Sequence, residues 1–165
     1  MRRVTAVLSA AAVATVMTVG LLAQAKPNFT GKWTRDMEKS PAPAAAAGGG
    51  GGRGGAGGGG GATFELKQDA TSLTRITQGQ NGPTETKYTL DGAAHDVTVG
   101  QGTAKVTAKV DGATIVLETT RDMGGTPVTS KAVYSMEGDW LVIATTAAPR
   151  GGGDPVTTKV YYKKG

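Results

Sequence analysis

Few residues in this sequence have side chains able to do chemistry. His95 is the single histidine, and a metal ion would need carboxylate or further nitrogen ligands beside it. Its neighbour Asp96 points to the opposite face of an extended chain, so no metal site is expected. Ser9, Ser40, Ser72, Ser130 and Ser135 stand in no strand–turn–helix elbow, and no histidine-plus-carboxylate pairing accompanies them. Asp69, Asp91, Asp111 and Glu137 fall at turn signals. There a carboxylate hydrogen-bonds its own backbone rather than joining a catalytic pair. The absence of cysteine excludes thiolate metal sites, iron–sulfur clusters, cysteine nucleophiles and a lipidated N-terminus. No catalytic constellation and no cofactor motif emerges, and the chain is not expected to be an enzyme.

Arginine placement is the one asymmetry with functional content. Beyond Arg2 and Arg3 the chain carries Arg35, Arg53, Arg75, Arg121 and Arg150. With a period of two, Arg35 shares a face with Phe29, Gly31 and Trp33, and Arg121 shares one with Ile115, Leu117 and Thr119. Where those faces turn inward, the two guanidinia would grip a carboxylate or phosphate at the mouth of an apolar interior. Tyr88, Tyr134 and Leu117 are the candidate interior contacts. Arg75 reads as mid-strand and away from that mouth. Local pairing of Arg35 with Asp36 and of Arg121 with Asp122 is the competing expectation.

The elements that must position these residues are strands. Thr and Val alternate with polar residues in short runs bounded by Gly, Asp and Asn, and no helical period is sustained. The pattern predicts ten strands, at 29–35, 63–68, 72–78, 84–90, 94–99, 103–110, 113–120, 127–136, 139–147 and 156–163. In TAKVTAKV, Ala104, Val106, Ala108 and Val110 form one face and Lys105, Thr107 and Lys109 the other. The tight connections QDAT, LDGAA, VDGA and MEGD alternate with looser Gly-rich ones. All tight turns therefore lie at one end of the molecule and all loose loops at the other. The expected fold is all-β, an antiparallel up-and-down barrel or half-barrel of about eight to ten strands, with two packed sheets as the alternative. Trp33, Phe64, Tyr88, Tyr134, Trp140 and Tyr162 are the expected inward aromatics, beside small residues such as Ala104, Ala108, Ala132, Thr86, Thr119 and Thr158. The run Trp140–Ala144 is apolar on both faces, which leaves its inward face open.

Two segments stand apart from the barrel. Residues 1–25 pair Arg2 and Arg3 with an apolar stretch ending in Ala23-Gln24-Ala25. That is the form of a secretory signal peptide cut before Lys26, with a periplasmic or extracellular product and no membrane span left after cleavage; an uncleaved membrane anchor is the alternative, since the apolar run is almost long enough to span. Residues 26–165 are then one domain, interrupted by a Gly/Ala-rich loop at 41–62 that is expected to be disordered. The block lacks the Lys-Ser/Thr and helix of a phosphate loop and carries Arg53 alone among its glycines. Loss of Arg2 and Arg3 lowers the net charge from +5 to +3, too weak a footprint for nucleic acid.

The opening NFTGKWTRDMEKS, Asn28 to Ser40, carries Gly31-x-Trp33. It resembles the G-x-W start of lipocalins and of small secreted lipocalin-like (calycin-type) proteins of bacteria. The resemblance implies a calycin-type barrel, with Gly31 and Trp33 as its structural motif, Trp33 packed across the closed end and the first loop over the mouth. No arginine stands on the last predicted strand to cover Trp33. The expected function is an exported binding module for a small apolar or amphipathic ligand with an anionic head. The alternative is a structural or protein-interaction module of the periplasm or cell surface with a filled barrel; no protein partner is indicated.

Overall fold

The computed structural model describes residues 26–40, 63–79, 82–99, 102–122, 124–149 and 153–165. The expected signal peptide at 1–25 and the expected Gly/Ala-rich loop at 41–62 lie outside the described residues. Ten strands are present: β1 (Gly31–Arg35), β2 (Thr63–Gln68), β3 (Ser72–Gly79), β4 (Gly82–Thr89), β5 (Asp91–Val99), β6 (Gly102–Asp111), β7 (Thr114–Asp122), β8 (Pro127–Glu137), β9 (Trp140–Ala147) and β10 (Val156–Lys164). They form one antiparallel sheet in the order β4-β3-β2-β1-β10-β9-β8-β7-β6-β5. Pairing of β1 with β10, Arg35 opposite Tyr162, joins the first strand to the last and wraps the sheet into a nearly closed barrel. Its two edges, β4 and β5, face each other without a ladder. The expected barrel is thus the observed fold.

Inward positions alternate along every strand, and what they carry changes with height. Near the tight-turn end the interior holds Trp33, Leu66, Leu73, Tyr88, Ile115, Leu117, Tyr134, Leu141, Ile143 and Tyr162, all almost wholly buried. Toward the loop end the same faces carry Thr119, Ser130, Thr145, Ala147 and Thr158, and all but Thr119 are partly exposed. Residues that point inward yet meet solvent mark an open mouth. Large apolar side chains close one end and small or hydroxylated ones line the other, as a tapering barrel requires.

The closed end is sealed by the segment before β1. Phe29 is fully buried and lies outside the strand, which begins at Gly31 rather than at 29. Its ring meets Tyr134 at 6.4 Å, and its carbonyl accepts a 2.8 Å hydrogen bond from Trp33 Nε1. Gln68 latches the segment, accepting from the Phe29 amide at 2.9 Å and donating to the Pro27 carbonyl. Lys164, one residue past the predicted end of the last strand, sets its ammonium 5.9 Å from the Trp33 ring. Gly31 takes a φ of 150°, a backbone conformation that other residues rarely adopt, which explains why the position beside this tryptophan carries no side chain.

Two local expectations are corrected. Asp91-Gly92 makes no hairpin: β4 and β5 are joined by Leu90 alone, and the ladder of β5 with β6 shifts register between Asp91 and Ala94. Gly92, at φ 77°, supplies the positive dihedral of a bulge instead of a turn. The Leu90 amide meanwhile donates to the Thr71 carbonyl in the β2–β3 turn. Trp140 faces outward, because Leu141 and Ile143 take the inward register of β9. Its ring is flanked by the ammonium groups of Lys39 at 4.5 Å and Lys163 at 4.7 Å. Thr86 and Thr158 keep the inward register expected of them, opposite Arg75 and Thr145, and are half-buried.

Past Arg35 the chain turns at residues 36–40 and leaves most of β10 without a β1 partner. Ser40 fills part of that space. Its hydroxyl accepts from the Tyr161 amide at 3.0 Å and donates to the Tyr161 carbonyl at 3.3 Å, so a side chain does the work of a ladder residue. Replacing Ser40 with alanine strands the Tyr161 amide and is expected to lower the unfolding free energy by about 1–2 kcal/mol, measurable by urea denaturation; an unchanged midpoint would reject this role.

Candidate functional site

The interior ladder faces bring arginine inside. Leu73 and Arg75 occupy the inward register of β3, and Arg75 sits opposite Leu66 on one side and Thr86 on the other. Only 6% of Arg75 is exposed. Its guanidinium stacks on the Phe64 ring, 4.2 Å from the centroid, and Phe64 in turn meets the Tyr162 ring edge-on at 4.8 Å. Buried Nε of Arg75 has no hydrogen-bond partner, and no ion pair of this residue occurs among the described residues. A cation nine-tenths removed from water normally has an anion beside it. Here it has a ring face.

Arg35 and Arg121 are half-buried on the inward registers of β1 and β7. The competing local pairs are not what the carboxylates do. Asp36 bonds the Glu38 and Lys39 amides, each at 2.9 Å, and the Lys163 ammonium at 3.1 Å. Asp122 accepts from the Gly125 amide at 2.6 Å. Backbone hydrogen bonds, first that from Lys39, hold the Asp36 carboxyl below its ordinary range. At Asp69, bonds from the hydroxyls and amides of Ser72 and Thr71 act the same way and more strongly. Turn carboxylates are thus spent on their own backbones, as their positions in the sequence imply.

Three tyrosines complete the interior. Tyr88 and Tyr134 are buried and inward, as is Leu117. Tyr162, which stood only among the expected inward aromatics, joins them. Burial pushes the Tyr162 phenol up to about 12, against the pull of the nearby Arg75 and Arg35 charges. Burial likewise raises Tyr88, and Arg75 and Arg121 oppose it there. These couplings put all three arginines within electrostatic reach of the buried phenols. A phenol raised in the folded state loses its stabilising contribution as pH climbs past its unfolded value, near 10. Stability is expected to be intact below pH 10 and to fall toward pH 12, by about 2–3 kcal/mol for Tyr162 alone. Denaturation at pH 9 and 11.5 checks this, and Tyr162→Phe should flatten the fall.

Sequence reasoning placed the anion site at the mouth, on Arg35 and Arg121, and passed over Arg75, the most buried of the three. The available signal was the Leu73-x-Arg75 step onto an apolar face. Ile76 on the opposite register obscured it. His95 does have a partner: its Nε2 lies 3.0 and 2.9 Å from the two Asp91 oxygens, while Asp96 pairs with Lys105 at 3.0 Å. No cluster of His, Asp and Glu able to hold a metal occurs among the described residues. A hollow of about 270 Å³ is lined by Asp96, Thr103, Lys105, Thr120, Asp122 and Pro127. Those side chains stand mainly on the outer register of β5–β7, away from the arginines. No described helix is long and apolar enough to cross a membrane.

Solved structures share this architecture. A fatty acid transporter, REP1-NXSQ, matches with a TM-score of 0.57 and 21% identity, over 82% of this chain and 95% of that one. A fluorescent protein, UnaG, matches with a TM-score of 0.53 and 18% identity, over 83% of this chain and 96% of that one. At such identities the likeness is one of fold, a small antiparallel β-barrel. No protein-family model and no curated protein matches the chain.

Proposed function

We propose that the chain is an exported, non-enzymatic binding module for a small amphipathic ligand with an anionic head, taken up through the loop end. The buried guanidinium of Arg75, whose Nε has no hydrogen-bond partner, carries this reading, because an anion arriving there would offset a charge that meets only a ring face in the chain itself. Arg75 lies below the rim, so the head travels inward past Thr119, Ser130 and Thr158. The tail then rests toward the mouth, where Val97, Val99 and Val156 supply apolar surface. The neighbouring fatty acid transporter fits a ligand of this class, and the Arg35–Arg121 pair becomes a collar around it rather than the anchor.

Titration of the mature chain with dodecanoate, dodecanol and dodecyltrimethylammonium tests the reading. Dodecanoate is expected to bind, dodecanol at least about tenfold more weakly, and the cation not at all. Arg75→Met should reduce dodecanoate affinity by about ten- to a hundredfold, and the Arg35→Ala, Arg121→Ala double variant by less. Equal binding of all three probes, or none by the natural sequence, would overturn it and favour a module without a small ligand. Export is checked separately by N-terminal sequencing, which should begin at Lys26.

A further inference from the structure

The interior charge count points beyond a simple carboxylate. Each ladder assigns every strand residue to one of two faces. On the face shared with the buried core stand Arg35, Arg75 and Arg121, with Lys164 at the closed end. No described aspartate or glutamate shares it. Glu65, Glu85, Asp96, Glu118, Asp122 and Glu137 occupy the outward registers of their strands. Asp91, opposite Lys109, is held by His95 at the edge of β5. Arg75 and Arg121 therefore bring two positive charges to the inward face without an ion pair among the described residues.

We infer that the head group is doubly charged, a terminal phosphate monoester, rather than a monocarboxylate. This rests on the binding reading above and sharpens it. One carboxylate meeting two interior guanidinia leaves a net cation in a partly desolvated chamber, whereas a dianion cancels both. Geometry favours phosphate for the same reason. Arg75 and Arg121 come from β3 and β7, on separate parts of the wall. A tetrahedral head presents oxygens in three directions, while a carboxylate offers one plane and suits a single bidentate fork. The hydroxyls of Thr119, Ser130 and Thr158 on the facing strands supply further donors for its oxygens.

The test compares three twelve-carbon probes, below their micellar concentrations, on the mature chain at pH 8, where a phosphate monoester is largely dianionic. Dodecyl phosphate is expected to bind at least about tenfold tighter than dodecanoate and than dodecyl sulfate, a tetrahedral monoanion. In Arg121→Met the preference for phosphate over carboxylate should collapse to about twofold or less, because dodecyl phosphate loses more affinity than dodecanoate does. Equal affinity for phosphate and carboxylate would overturn the inference while leaving the binding reading intact. Sulfate binding as tight as phosphate would also overturn it, since shape would then outweigh charge. Failure of all three probes to bind would strike the binding reading itself.

Discussion

Arg75→Leu is expected to make the ligand-free protein harder to unfold by about 1–3 kcal/mol while abolishing high-affinity binding of an anionic amphiphile. Burying a guanidinium without an anion costs free energy, and a leucine of smaller volume on the same inward register removes that cost. Loss of the stacking contact with Phe64 works in the other direction, by about 0.5–2 kcal/mol, and limits the gain. Thermal melts of the two proteins without ligand should differ by several degrees in favour of the variant. Adding ligand should reverse their order, because only the natural sequence gains from binding. A variant that is less stable in both conditions would show that Arg75 holds the wall together instead of serving a ligand.

Trp33→Ala is the second large effect, a loss of about 3–5 kcal/mol. The indole is 2% exposed, lies on the inward face of β1 opposite Phe64, and donates its N–H to the Phe29 carbonyl. Truncation opens a void at the closed end and releases the segment that seats Phe29 against Tyr134. Trp33→Phe separates the two contributions. It keeps most of the packing and leaves the Phe29 carbonyl without its donor, at an expected loss of about 1–3 kcal/mol. Equilibrium denaturation resolves both, and equal losses for Ala and Phe would place the whole effect in the hydrogen bond.

How much of this could be read from the chain depends on how many neighbours a residue needs to explain it. Alternation in TAKVTAKV requires only the pleat of its own strand, and Ala104, Val106 and Ala108 are buried where it puts them. The turn acids behave as expected because Asx-type hydrogen bonds are local; Asp69 bonds Thr71 and Ser72 within its own turn. Arg75 needed the opposite kind of knowledge. In SLTRITQG, Ser72, Leu73, Thr74 and Arg75 are all buried, so both faces of β3 are covered and period two picks neither. Trp140 is ambiguous for a related reason: WLVIA is apolar throughout, and Val142 on the outward register is as fully buried as Leu141 and Ile143 on the inward one. The missing ladder between β4 and β5 was equally hidden, since Asp-Gly fits a bulge as well as a hairpin.

That missing ladder has a mechanical consequence. A fully closed barrel has its circumference fixed by hydrogen bonds, and widening it means breaking a whole row of them. Here the wall is a single ribbon bent into a ring and stitched at one point, Leu90, with the rest of the seam held by side chains. The ring can dilate or contract by sliding its two free edges past each other, with every existing ladder bond kept. The girth of the barrel is therefore not fixed by a closing row of hydrogen bonds between β4 and β5.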